Sequence, residues 1–211
     1  MIRKFLHQHR YDENKAWDKI AYDYLKKGDW VLDLGCGEGR FLALNPKKIK
    51  GIDWSQASVK ICQTKGYQVK KADVRALPFK AKSVPGIHCS HLIEHFLPQD
   101  AHQILKEIDR VLKPQGLLVI RSPLMWDKFY TDFTHLKPYY PEALLRYLTP
   151  GHYQNTLTPI SDQYQVMELK YGYQPFPFSV RFLNTIFSIL NRWGFPWLKK
   201  NSYLLVLKKN G

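Results

Sequence analysis

The sequence predicts an α/β protein, and three observations carry that expectation. Short apolar runs of strand length alternate with segments whose apolar residues recur at helical spacing. The first such run, Trp30 to Leu34, leads directly into Gly35-Cys36-Gly37-Glu38-Gly39 and then into a further apolar segment. A strand feeding a glycine-rich turn forms a ligand site at its C-terminal end, where glycine lets another group approach the backbone. The second run, Ile49 to Asp53, ends on an acid about 20 residues beyond the glycine loop, where α/β nucleotide folds place a carboxylate on ribose hydroxyls.

At 211 residues, with 45% hydrophobic and 24% charged content, the chain reads as a single globular domain. Three widely spaced cysteines (Cys36, Cys62, Cys89) suggest neither a disulfide framework nor a zinc site. Met1 to Arg10 holds no apolar core of a signal peptide, and no apolar run approaches the ~20 residues that span a bilayer. A cytoplasmic protein is expected, at most peripheral at the inner membrane surface. The net charge of +14 favours anionic partners, and no acid follows Glu168.

Residues 1–29 form an N-terminal cap, in which Trp17, Ile20, Ala21, Tyr24 and Leu25 recur at helical spacing before Gly28. A helix is expected from Gly39 to about Leu44, stopped by Asn45-Pro46. Ser55 suits the N-cap of a helix reaching about Lys65. Tyr67 to Ala72 reads as a third strand closed by Asp73. Val84 to Ser90 reads as a fourth, interrupted by Pro85-Gly86. His91-Leu92-Ile93-Glu94-His95 spells the zinc pattern H-x-x-E-H. That pattern needs a long helix and a distant third ligand, and Phe96-Leu97-Pro98 breaks any helix at once, so no metal is expected. Asp100 to Lys113 is amphipathic, and Leu117 to Arg121 is the fifth strand.

The glycine spacing departs from the dinucleotide fingerprint, because Arg40 stands where a third glycine is required. Asp33-Leu34-Gly35-Cys36-Gly37-Glu38-Gly39 instead resembles motif I of the class I S-adenosylmethionine-dependent methyltransferases. Ala76-Leu77-Pro78-Phe79, Leu92-Ile93-Glu94-His95 and Arg110-Val111-Leu112-Lys113-Pro114-Gln115-Gly116 resemble later segments of that family, so the resemblance runs from about Trp30 to Ser122. It implies a doubly wound, seven-stranded, mostly parallel sheet with an antiparallel last strand and helices on both faces. It also implies S-adenosyl-L-methionine as cofactor. Asp33, Gly35 and Gly37 are expected at its amino acid end, Asp53 at its ribose, and Asp73 and Val74 at its adenine, with Cys36 and Trp54 also against the cofactor. Ser90 and His91 are expected to line its wall.

Residues 123–211 are left to hold the acceptor. Asp132-Phe133-Thr134-His135 and Pro138-Tyr139-Tyr140-Pro141-Glu142 resemble a segment of small bacterial methyltransferases that modify sugars and lipids. A helix should open at Pro141-Glu142, with strands at Val166 to Tyr173 and Ser202 to Leu207. Between them, Leu183, Ile186, Phe187, Leu190 and Trp193 form a helical stripe. The aromatic and basic residues from Pro175 to Lys200 suit a lid whose rim meets an anionic membrane.

Methyl transfer to a hydroxyl gains from a general base, and His135 and His91 are the candidates, with Asp132 assisting. The expected reaction is O-methylation of a small molecule, glycan or lipid intermediate. RNA is the runner-up acceptor, since the [DN]-P-P-[YF] loop of base amino methylation is missing and no Pro-Cys pair appears. A cofactor-binding scaffold without activity is the remaining alternative.

Overall fold

The computed structural model describes residues 2–151, 155–173, 186 and 200–211, with side chains from Asn14 onward. Four helices and seven strands are described: α1 (Ile2–Leu25), β1 (Val31–Leu34), β2 (Ile49–Asp53), α2 (Gln56–Thr64), β3 (Gln68–Lys71), β4 (Val84–Ser90), α3 (Pro98–Val111), β5 (Leu112–Pro123), α4 (Pro141–Leu148), β6 (Tyr164–Tyr173) and β7 (Lys200–Lys209). They build one seven-stranded sheet of order β3-β2-β1-β4-β5-β7-β6. β1 to β5 pair in parallel, while β7 runs antiparallel to both β5 and β6, as expected. The strand order reverses between β1 and β4, and such a switch point leaves a crevice at the carboxyl ends.

Strand alternation sends side chains to two cores. Leu32, Leu34, Ile87, Leu118, Ile120 and Leu205 pack with Ile104 and Ile108 of α3 and Leu144 and Leu148 of α4. Val31, Ile49, Val119, Leu204 and Val206 pack on the other face with Ala21 and Leu25 of α1 and Val59 and Cys62 of α2. Buried Asp18 of α1 is ion-paired with Arg40, so the residue that breaks the dinucleotide spacing fastens the N-terminal helix to the glycine loop.

The expected elements are present and several boundaries shift, β5 beginning at Leu112 and α3 at Pro98. Ser55 caps α2 by accepting from the Ser58 amide at 3.3 Å, and Pro141 opens α4 at its first turn. The helix expected from Gly39 is a single 3-10 turn, Leu42–Leu44, because positive φ at Gly39 delays its start and Asn45-Pro46 ends it. Pro85-Gly86 does not interrupt β4. Leu112 pairs with Val84 and Leu117 with Gly86, so residues Lys113–Gly116 of β5 bulge out of the ladder between them. The expected stripe from Leu183 to Trp193, and the aromatic-basic rim around it, lie outside the described residues apart from Ile186 and Lys200. Among the described residues, no helix is long and apolar enough to cross a membrane.

The turn after β3 is clamped to α3. The Leu77 amide donates to Glu107 at 2.7 Å, and Arg110 donates to the carbonyls of Phe79 and Leu77 at 2.8 and 3.0 Å. The hydrogen bond from Arg110 holds the Glu107 carboxyl below its usual range. A depressed carboxylate stabilises the fold above the unfolded value, about 4.3, and that contribution is lost as pH falls through the folded value. Urea titrations between pH 6 and 3 should therefore show a shallower acid loss for Glu107→Gln than for the parent. Parallel curves would remove the clamp from the acid response.

Candidate active site

The glycine loop lies across the carboxyl ends of β1 and β2. The Cys36 amide donates to the Ile52 carbonyl at 3.0 Å and the Gly37 amide to Asp53 Oδ2 at 2.8 Å. This close approach requires Gly51, where a Cβ would stand 2.7 Å from Cys36 Sγ. The Cys36 thiol thus faces inward, and burial pushes its pKa up. Gly35 and Gly37 take φ of +66° and +52°, as the expected loop needs. A Cβ on Gly37 would meet nothing within 4 Å, so that residue presents bare backbone to open space. Asp53 also accepts from the Ser55 amide at 2.8 Å through Oδ1. Each of its oxygens keeps a second lone pair for another donor. Trp54, beside it, is 68% exposed, with the Lys71 ammonium 5.7 Å from its ring centroid.

Asp33 is not free at this edge. Its carboxylate is 2.7 Å from His88 Nδ1 of the neighbouring strand, and both side chains are buried. The His88 ring stacks on Phe41 at 3.7 Å between centroids. His88 Nε2 is buried and finds no partner among the described residues, which suits a neutral ring donating from Nδ1 to Asp33. Oδ1 is engaged by this bond, so the expected contact with a cationic amino group falls to Oδ2. The acid stands in the interstrand layer beneath the loop and holds β1 to β4.

Asp73 is also engaged. Arg75 donates to both of its oxygens, at 2.8 Å from Nη2 and 3.1 Å from Nε, and reaches on to Asp100 at 3.2 Å. That fork lowers the Asp73 pKa and occupies the carboxylate expected to meet adenine. Val74 is buried in the core, so its side chain does not border open space.

The end of β4 carries the unusual features. Ser90 Oγ and His91 Nε2 are buried and have no hydrogen-bond partner among the described residues. His91 adopts φ +52°, a strained value for a residue with a side chain, while its amide donates to the Arg121 carbonyl at 2.9 Å. Burial lowers the His91 pKa, so the neutral ring donates from Nδ1 to Glu94 Oε1 at 3.2 Å. Glu94 is fully buried and also accepts from Ser122 Oγ at 3.2 Å. The sequence reading gives Glu94 no role of its own. Its signal is the three-residue spacing from His91, which the bend after β4 brings within hydrogen-bond reach.

The segment after β5 completes the edge. The Glu94 carbonyl accepts from the amides of Leu136 and Lys137 at 2.8 and 3.3 Å, which carries His135 to His95 with ring centroids 4.9 Å apart. His135 Nδ1 is 2.8 Å from the Phe129 carbonyl, and Nε2 is 3.8 Å from Asp132 Oδ2. His95 Nδ1 is 3.1 Å from the Thr134 carbonyl and 3.0 Å from Thr134 Oγ1, whose proton goes to Asp132 at 2.7 Å. A carbonyl only accepts, so both rings carry hydrogen on Nδ1, and in the neutral form of each ring the lone pair is on Nε2. His135 and His95 thus stand side by side at this edge. His91 points its Nδ1 at Glu94 and leaves Nε2 unpartnered at the end of β4.

The fold has a close counterpart among solved structures. A "SAM dependent methyltransferase from Archaeoglobus fulgidus" superposes with a TM-score of 0.69 at 24% identity, covering 98% of this chain and 99% of that one. Strand order and glycine-loop edge are those of a fold shared with S-adenosylmethionine-dependent methyltransferases. Residues 32–120 match the family described as "Methyltransferase domain". The Arabidopsis thaliana "tRNA (carboxymethyluridine(34)-5-O)-methyltransferase" is 33% identical over 108 residues, 49% of this chain and 27% of that protein. The Mus musculus "Probable tRNA methyltransferase 9B" is 33% identical over 113 residues, 51% of this chain and 25% of its own length. The match therefore spans only about a quarter of either relative.

Removing His88 tests the Asp33 pair. In His88→Leu the buried carboxylate loses its partner, which costs about 3–5 kcal/mol when the acid is ionised. Burial already raises the Asp33 pKa, and loss of His88 raises it further. The unfolded chain ionises above about 3.9, so the deficit should grow as pH rises from 5 to 8. Chemical denaturation at both pH values reads this, and a pH-independent deficit would contradict it.

Proposed function

We propose that the protein is a cytoplasmic methyltransferase that moves the methyl of S-adenosylmethionine to an oxygen atom of an anionic acceptor. One observation carries the reading. The bare Gly37 backbone, Asp53 and the two orphaned polar atoms of Ser90 and His91 meet at the ends of β1, β2 and β4, with the His95–His135 pair just beyond. The residues fit the cofactor. Gly37 leaves room for its amino acid part, Asp53 retains lone pairs for two ribose hydroxyls, Trp54 offers an exposed ring to the adenine, and Ser90 Oγ and His91 Nε2 supply unmatched polar atoms. Asp73 takes part only if Arg75 yields.

The bound cofactor supplies a methyl already activated by its sulfonium. The chain has to hold the acceptor oxygen in line with it and keep water out. The segment 127–137, pinned by the Glu94 carbonyl, presents the imidazole pair to the acceptor side, with exposed Lys128 and Lys137 flanking it. Small anionic molecules and glycan or lipid intermediates suit this edge. RNA is the second reading, favoured by the net charge of +14 and by the tRNA methyltransferases among the relatives.

Calorimetry with S-adenosylhomocysteine should give one site. Asp53→Ala should weaken it at least tenfold, the ~1.4 kcal/mol of a lost charge-assisted pair. Unchanged affinity would place the ribose elsewhere. Gly37→Ala should bind far more weakly while unfolding within a few degrees of the parent, since its Cβ points into the proposed cofactor space and the backbone strain costs only about 1 kcal/mol. Methyl-labelled cofactor incubated with fractionated cell extract then separates the acceptors. Label confined to RNA selects the second reading, and label in the lipid, glycan or small-molecule fraction selects the first.

A further inference from the structure

We propose that Glu94, His95 and His135 form a binding site for a divalent first-row transition cation, which holds and polarises the acceptor oxygen. The inference rests on the methyltransferase reading for its role, but not for the site itself. One ligand atom from each of the three side chains lies within 4.8 Å of the other two. Ligands about 2.0–2.2 Å from one ion stand some 3–3.5 Å apart, so the set closes with movements of about 1 Å or less per side chain.

The donors are also prepared as ligands usually are. A metal-bound histidine donates its other ring N–H to a carbonyl or carboxylate, which fixes its tautomer. His135 does so to the Phe129 carbonyl, and His95 does so to Thr134, leaving each Nε2 lone pair free to bind. Glu94 is oriented by His91 on one oxygen and Ser122 on the other, and each oxygen keeps a further lone pair. Glu94 has no exposed surface, and a carboxylate is expensive to bury unless a cation or a set of donors meets it. Two neutral imidazoles beside one carboxylate favour Mn²⁺, Fe²⁺ or Zn²⁺ over purely oxygen-seeking ions. Three protein ligands leave positions open for a substrate oxygen.

The arrangement differs from the zinc pattern spelled by His91 to His95. Ile93–His95 is a single 3-10 turn, so His91 and His95 do not share a helical face, and His91 serves as the partner of Glu94. The distant third ligand is His135, which the Leu136 and Lys137 amides bring in by bonding to the Glu94 carbonyl. With the cation present, His135 is a ligand and not a base. The acceptor hydroxyl loses its proton to solvent water, because the cation lowers its pKa. The oxygen lone pair then forms the bond to the methyl carbon. The carbon–sulfur pair returns to sulfur, leaving S-adenosylhomocysteine.

The full chain, stripped with chelator and exchanged into clean buffer, is titrated with MnCl2 and separately with ZnCl2 in the calorimeter. Mn²⁺ binding is followed in parallel by the loss of the free-ion paramagnetic resonance signal. One ion per chain at micromolar affinity or tighter is expected. His135→Ala and His95→Ala should each weaken binding at least tenfold, while His102→Ala, on the surface of α3, should leave it unchanged. Circular dichroism confirms folding of each variant. Binding that survives both substitutions, or no stoichiometric binding of either ion, overturns the site. S-adenosylhomocysteine titrated into the same samples keeps the two ideas apart. Cofactor binding without metal binding sinks the cation site and leaves the methyltransferase reading standing. Metal binding without cofactor binding does the reverse.

Discussion

Glu94 is the constraint on which the edge of this domain depends. A carboxylate without exposed surface must be met by donors, and here they come from separate parts of the chain: His91 beyond β4 and Ser122 on β5. Its carbonyl does a second job by accepting two amides from the segment after β5. One residue thus joins the end of the parallel sheet to the part of the chain that regular structure does not hold. Residues 127–140 contain only a single 3-10 turn, and short polar links position them. Loops placed by a rigid scaffold are where specificity is built.

The glycine loop is held by a comparable economy. Gly37 donates to Asp53, Cys36 donates to Ile52, and Gly51 gives the space in which both contacts form. Asp53 is therefore fixed by two amides before any ligand arrives, and preorganised acceptors lose less on binding. Beneath the loop, the Asp33–His88 pair and the ring of Phe41 link β1 to β4 and to the N-terminal face. Arg40 and Asp18 extend the same connection to α1. A disturbance at Asp33 is consequently felt in fold stability first and in the ligand site second.

The sequence shows what is local and hides what is not. The Ser55 cap, the Pro141 helix start, the α3 stripe and the β2 acid are all legible, because each depends on residues within a few positions of one another. Strand order follows from resemblance to a known fold, since periodicity carries no information about which strands pair. The Asp33–His88 bond joins residues 55 positions apart, so the sequence does not show that Asp33 also ties β1 to β4. Asp73 misleads in the opposite way: the fork from Arg75 is only two residues distant, but rotamer and turn geometry decide it, not composition. Glu94 goes unread because histidines attract the functional interpretation, although burial places the carboxylate at the centre.

The boundary of the family match has a physical meaning. It ends at residue 120, before Ser122 and before the whole segment that carries His135. Glu94 and His95 lie inside the matched range, and His135 lies outside it. The chemistry offered to the acceptor depends on what the following segment brings against it. A relative with the same core and a different residue at the place of His135 would keep the cofactor pocket and the buried carboxylate, yet present one imidazole instead of two. Likeness across 32–120 therefore argues for the methyl donor and is silent on the acceptor. In residues 123–140, the backbone amides of Leu136 and Lys137 decide which side chain stands beside Glu94.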